Sequence, residues 1–168
     1  RQQLTCGQCH MTGRAGPVAD VPDAPQRLVH DHMMPGVDVA LTPFPETDAQ
    51  RQAVQRDLDT AVQARLCVRF DSGEMVAEVT LDNVGGGHDF PSGATHDRRA
   101  WIELAAYSGN ALVFESGAVA DRQAATELVD PKLWLLRERV YDRSGREAHM
   151  FWDIARYDAE HLPPAVTS

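Results

Sequence analysis

The chain has 168 residues, enough for one domain or two small ones with a core of their own. Its formal net charge of −9 argues against nucleic acid and anionic lipid as partners. With 43% hydrophobic residues it holds no apolar run of the roughly 18 residues that a membrane helix needs.

In chain order, the first chemically informative run is Cys6-Gly7-Gln8-Cys9-His10, a C-x-x-C-H motif. Two cysteines at this spacing can each form a thioether with a haem vinyl group, and the following histidine supplies an imidazole to the iron. A zinc knuckle would need two further ligands of similar type, and the one other cysteine, Cys67, stands alone. A redox dithiol normally follows a strand and opens a helix, and only five residues precede Cys6. One covalent haem c on Cys6, Cys9 and His10 is therefore expected, and it leaves no cysteines for a disulfide framework. Haem of this type is attached outside the cytoplasm. No signal peptide is present, so a mature exported chain, or a fragment of one, is expected on the periplasmic or extracellular side.

Residues 1–46 are rich in Gly and Pro and lack periodicity, which predicts an irregular haem-binding segment. Residues 47–64 form the connecting region. Thr47 and Gln50 fit a capping box, Asp48 suits the positive end of a helix dipole, and Ala53, Val54, Leu58, Ala61 and Val62 recur at helical spacing. One amphipathic helix over about 47–62 is predicted. From there the period becomes two, and residues 65–168 are assigned to a β-domain. Hairpins are predicted around Asp71-Ser72-Gly73, around Ser108-Gly109-Asn110, and between Leu133–Tyr141 and Arg146–Asp153. Residues 117–132 are read as a crossing between sheets. The fold class expected is mainly β, an antiparallel, immunoglobulin-like sandwich with one helix.

Haem iron has a second axial position, and its occupant decides the chemistry. His30, His32, Met33 and Met34 crowd into five residues, with Asp31 placed to orient an imidazole. His32 is the first candidate for the distal ligand, and His30 and Met34 are alternatives. His88 follows three glycines in Gly85-Gly86-Gly87-His88 and is the second candidate. Arg98 and Arg99 are candidates for pairing with haem propionates, since the planar guanidinium matches a carboxylate. His149 and His161 have no neighbours of ligand type, Met75 alternates with core positions, and Cys67 reads as a plain thiol.

Cys6-Gly7-Gln8-Cys9-His10-Met11, Asp31-His32-Met33-Met34-Pro35 and Gly87-His88-Asp89-Phe90-Pro91-Ser92-Gly93 with Arg98, Arg99 and Trp101 together resemble a family of bacterial multihaem c-type cytochromes. The pattern from Asp142-Arg143-Ser144-Gly145 through Phe151-Trp152 to Leu162-Pro163-Pro164 is similar as well. The resemblance implies electron transfer by bis-histidine haem, with His10 proximal and His32 and His88 as distal candidates. Relatives carry several C-x-x-C-H motifs and this chain carries one, and Thr12 stands where the family often has proline. The chain is thus read as a piece of a longer multihaem chain or a single-haem subunit.

The function expected is electron transfer as a subunit or fragment of a multihaem assembly. Its partners would be other cytochromes or redox subunits, including a neighbouring haem in trans, with no nucleic acid and no membrane span. Two alternatives accompany it. One is a haem enzyme with an open distal site, where His88, His96 and Arg98 would face a small nitrogen or oxygen species. The other is a docking module of a larger redox complex.

Overall fold

A computed structural model describes residues 5–165. They fall into two compact units, one ending at Ala61 and the other starting at Val62. The helix predicted between haem segment and β-domain belongs to the first unit.

That unit begins with a single helical turn, α1 (Cys6–His10). The Gln8 side-chain oxygen accepts the Thr5 N–H at 2.7 Å and so caps the turn from within. Next comes an antiparallel pair, β1 (Gly13–Pro17) and β2 (Gln26–His30), with Gly13 opposite His30. This corrects the expectation of irregular chain throughout residues 1–46. The prolines explain why a hairpin survives here. Pro17 sits at a strand end, and Pro22 and Pro25 lie in the connection, so the paired residues keep the donors a ladder needs. Residues 31–46 carry neither helix nor strand.

The predicted helix is present as α2 (Thr47–Ala61), with Val54 buried. Its start differs from a capping box. The Thr47 hydroxyl accepts the Phe44 N–H at 2.9 Å, while the Gln50 side chain reaches outward to accept the Ala40 N–H at 3.0 Å. Gln50 thus ties the irregular segment to the helix instead of closing the helix end on itself.

The second unit is mainly β, and every pair of its strands is antiparallel. β3 (Val62–Asp71) and β4 (Glu74–Asn83) form the first predicted hairpin, with Ser72 and Gly73 both at positive φ in the turn, as a two-residue connection demands. The second predicted hairpin divides. β5 (Ala100–Trp101) leaves to pair elsewhere, and β6 (Leu104–Ser108) pairs with β7 (Ala111–Ser116). The third is corrected. β8 (Leu135–Tyr141) pairs with β5 on one side and with β9 (Arg156–Glu160) on the other, not with residues 146–153. Asp142 does make the predicted turn, accepting the Ser144 and Arg146 N–H groups. After one bridge, Tyr141 to Glu147, the chain turns away through a short 3-10 segment at Phe151–Asp153 and returns as β9. Residues 117–132 contain no strand, only a 3-10 turn at Ala125–Glu127.

Leu136, Val140 and Ala125 are the buried apolar side chains of this unit. Met75, read as core, is 47% exposed, because the end of the β3–β4 hairpin projects beyond the packed strands, with Phe70 opposite it 80% exposed.

One connection is tightly specified. Gly117 has φ of +75°, and a Cβ there would strike the backbone carbonyl of Ile102. Asp130 holds the same turn by accepting the Ser116 hydroxyl at 2.7 Å, the Gly117 N–H at 2.8 Å and the Lys132 N–H at 2.8 Å. The Ser116 bond is the main cause of its lowered pKa, followed by the two backbone bonds. Gly117→Ala is expected to lower unfolding free energy by about 1–3 kcal/mol, read from urea midpoints. A depressed folded-state pKa stabilises above the unfolded value and is lost as pH falls through the folded one. Stability should therefore decline as acid enters and passes below the ordinary Asp range of about 4, and Asp130→Asn should flatten that decline.

Candidate functional site

The cysteines of α1 sit at i and i+3 on one helical turn, and both are exposed. That is the presentation two thioether bonds require. His10 ends the turn, and its Nδ1 lies 2.6 Å from the Pro35 carbonyl oxygen. A carbonyl only accepts, so Nδ1 donates here, and in the neutral ring that leaves the lone pair on Nε2. An imidazole that ligates a metal through Nε2 commonly donates its other N–H in this way. Donor set and tautomer thus fit a haem c held by Cys6, Cys9 and His10. A zinc knuckle fits less well. No group of three or more His, Cys, Asp or Glu suited to a metal ion gathers among the described residues.

The same device recurs twice. His30, at the end of β2, places Nδ1 2.7 Å from the Met11 carbonyl oxygen, immediately after the motif. In the second unit His88 places Nδ1 2.9 Å from the Asp89 carbonyl oxygen. Both rings therefore also carry their lone pair on Nε2. His32 shows no such bond, and Asp31 does not orient it. The Asp31 carboxylate accepts the Met33 N–H at 2.6 Å instead, forming a local turn. The structure brings His10, Met11, His30 and Pro35 together in the first unit. His88, Arg98 and Arg99 belong to the second.

The loop carrying His88 is built with care. Asn83, at the end of β4, is 2% exposed. Its side-chain amide donates to the His88 carbonyl at 2.7 Å and to the Leu162 carbonyl at 3.0 Å, and its side-chain oxygen accepts the Gly86 N–H at 3.0 Å. Phe90 and Leu162 exchange two backbone bonds, of 2.9 and 2.7 Å. Arg98 donates to the Ser92 carbonyl, and its guanidinium fills the space a Cβ on Gly93 would need. Arg99 donates to the carbonyls of His96, at 2.6 Å, and Arg98, at 2.7 Å. Burial and the nearby Arg137 lower the Arg99 pKa, and Asp97 and Glu147 oppose them. Both arginines thus brace backbone around the loop.

The sequence reading passed over Asn83. The available signal was an Asn directly before a glycine-rich run, where its short amide can satisfy backbone groups that glycines leave exposed. His96 and His149 flank Asp97 at 3.4 and 3.6 Å, and His161 lies 4.0 Å from Glu138. These rings address carboxylates, unlike the three tethered to carbonyls. Asn83→Ala strands three part-buried backbone partners and should cost about 1–3 kcal/mol in unfolding free energy. Hydrogen exchange at the Gly86 amide should rise along with it. Comparison with protein-family models, curated proteins and solved structures finds no match to this chain.

Proposed function

We propose that the chain is an electron-transfer c-type cytochrome, a subunit or fragment of a multihaem assembly, carrying one covalent haem c and working on the exported side of the membrane. The observation that carries the reading is the His10 Nδ1–Pro35 bond of 2.6 Å beside two exposed cysteines one turn apart. When bound, the haem supplies a one-electron iron couple. The residues of the chain hold it: Cys6 and Cys9 by thioethers, and His10 by Nε2, with Pro35 fixing the ring orientation and raising its basicity. The resemblance to multihaem cytochromes supports the same function and suggests other cytochromes or redox subunits as partners.

A second imidazole would leave a bound haem no open position for substrate, which would favour electron transfer over catalysis on a small molecule. His32 and His88 are the proposed distal candidates. Pro35 is held at His10, and three residues of extended chain span at most about 10 Å, so His32 stays on a short tether from His10. His88, in the second unit, meets the Asp89 carbonyl oxygen through Nδ1 on a braced loop and is the other proposed candidate.

Expression with a c-type maturation system tests the proposal. Intact mass and the pyridine haemochrome spectrum should give one haem per chain with both thioethers formed. Colourless protein with unmodified thiols at Cys6 and Cys9 would overturn it. In the ferric holoprotein, low-temperature EPR should be low-spin. His32→Ala or His88→Ala should turn it high-spin, whichever supplies the ligand. A parent spectrum that is high-spin at neutral pH with rapid cyanide uptake would favour the enzyme reading. Cys9→Ala should weaken attachment and lower the hydrogen-exchange protection of β1 and β2, since a bound cofactor stabilises the state that holds it.

A further inference from the structure

The second unit has a half-open cleft of about 340 Å³ lined by β4 and the β6–β7 hairpin. Val79 and Leu81 face it from β4, Leu104 and Phe114 from β6 and β7, and Trp134 lies at its wall. Val79, Leu81, Leu104 and Phe114 are half-buried, so their apolar faces are only partly covered by the chain itself. A space of this size lies at the lower end of the range for small-molecule sites, which are likewise mostly apolar with few polar groups.

Two polar side chains line it, Ser116 and Lys132. The Ser116 hydroxyl is engaged with Asp130 at 2.7 Å. The Asp130 carboxylate in turn accepts three donors that hold the Gly117 turn. Lys132 differs. Its ammonium stands 5.0 Å from the centroid of the Phe114 ring, so the charge lies at the cavity wall against an aromatic face. The wall thus joins one cation to an otherwise apolar chamber.

We propose that this cavity binds an amphiphilic carboxylate, with its hydrocarbon part among Val79, Leu81, Leu104 and Phe114 and its acid group on Lys132. The apolar lining stabilises the hydrocarbon by removing it from water, and a charge-assisted hydrogen bond from Lys132 selects an acid over an alcohol of equal length. The site is independent of the haem, and its test does not depend on electron transfer.

Calorimetric titration of the holoprotein with decanoate, below its micelle concentration, should show one saturable site per chain. Decanol should bind more weakly. Lys132→Met should weaken decanoate about tenfold, as expected for loss of one bond to a charged group, and leave decanol unchanged. Leu104→Trp should block both by filling the chamber, with far-UV circular dichroism confirming that each variant is folded. Absence of decanoate binding would overturn the proposal. So would decanol binding as tightly as decanoate, or a Lys132→Met variant that binds decanoate as the parent does.

Discussion

Buried main-chain polar groups must find partners, and in this chain one side chain supplies several of them. Asn83, the most completely buried large side chain, satisfies the Gly86 N–H and the His88 and Leu162 carbonyls at once. Its own carbonyl accepts the Ala165 N–H at 2.7 Å. The end of β4, the glycine-rich loop and the C-terminal stretch are thereby drawn to one point. Without that amide, two carbonyls and an N–H that are only partly exposed to water would lose their partner. This anchor holds the backbone that carries His88.

A second constraint acts on the imidazoles. His10, His30 and His88 each face a backbone carbonyl through Nδ1, at 2.6, 2.7 and 2.9 Å. Because a carbonyl has no proton to give, each ring is held in one tautomer with its lone pair on Nε2. A ring so fixed needs little reorganisation to bind iron, and its orientation is set by the backbone. His96, His149 and His161 lie near carboxylates instead, at 3.4, 3.6 and 4.0 Å. The chain thus sorts its histidines by the kind of oxygen beside them. The proposed redox role draws on the first group.

Side-chain density is uneven across the second unit. The three-stranded sheet β5–β8–β9 has Leu136 and Val140 buried on its central strand, whereas β4, β6 and β7 face a chamber. Asp130 accepts the Lys132 N–H at 2.8 Å, so the residue that holds the Gly117 turn also fixes the backbone of Lys132, which lines the cleft.

By itself the sequence determined what is local. The C-x-x-C-H turn follows from spacing, α2 from periodicity of 3.6, and the β3–β4 hairpin from alternation around Ser72-Gly73, whose positive φ angles few other residues tolerate. The mainly β, antiparallel class follows from the same alternation. Tertiary structure decided what depends on distant pairing. Residues 146–153 have apolar character enough for a strand, yet β8 takes β9 because Phe151–Asp153 turns before a ladder can extend. Arg98 and Arg99 read as charges for a ligand, and folding puts carbonyls within their reach. Asn83 reads as an ordinary strand end, and only the return of Leu162, 79 residues later, makes it a hub. Pro35 is a turn residue in sequence, and a partner of His10 only once 25 residues of chain have come back. Propensity acts over a few residues, whereas a buried donor takes whichever acceptor the whole fold delivers to it.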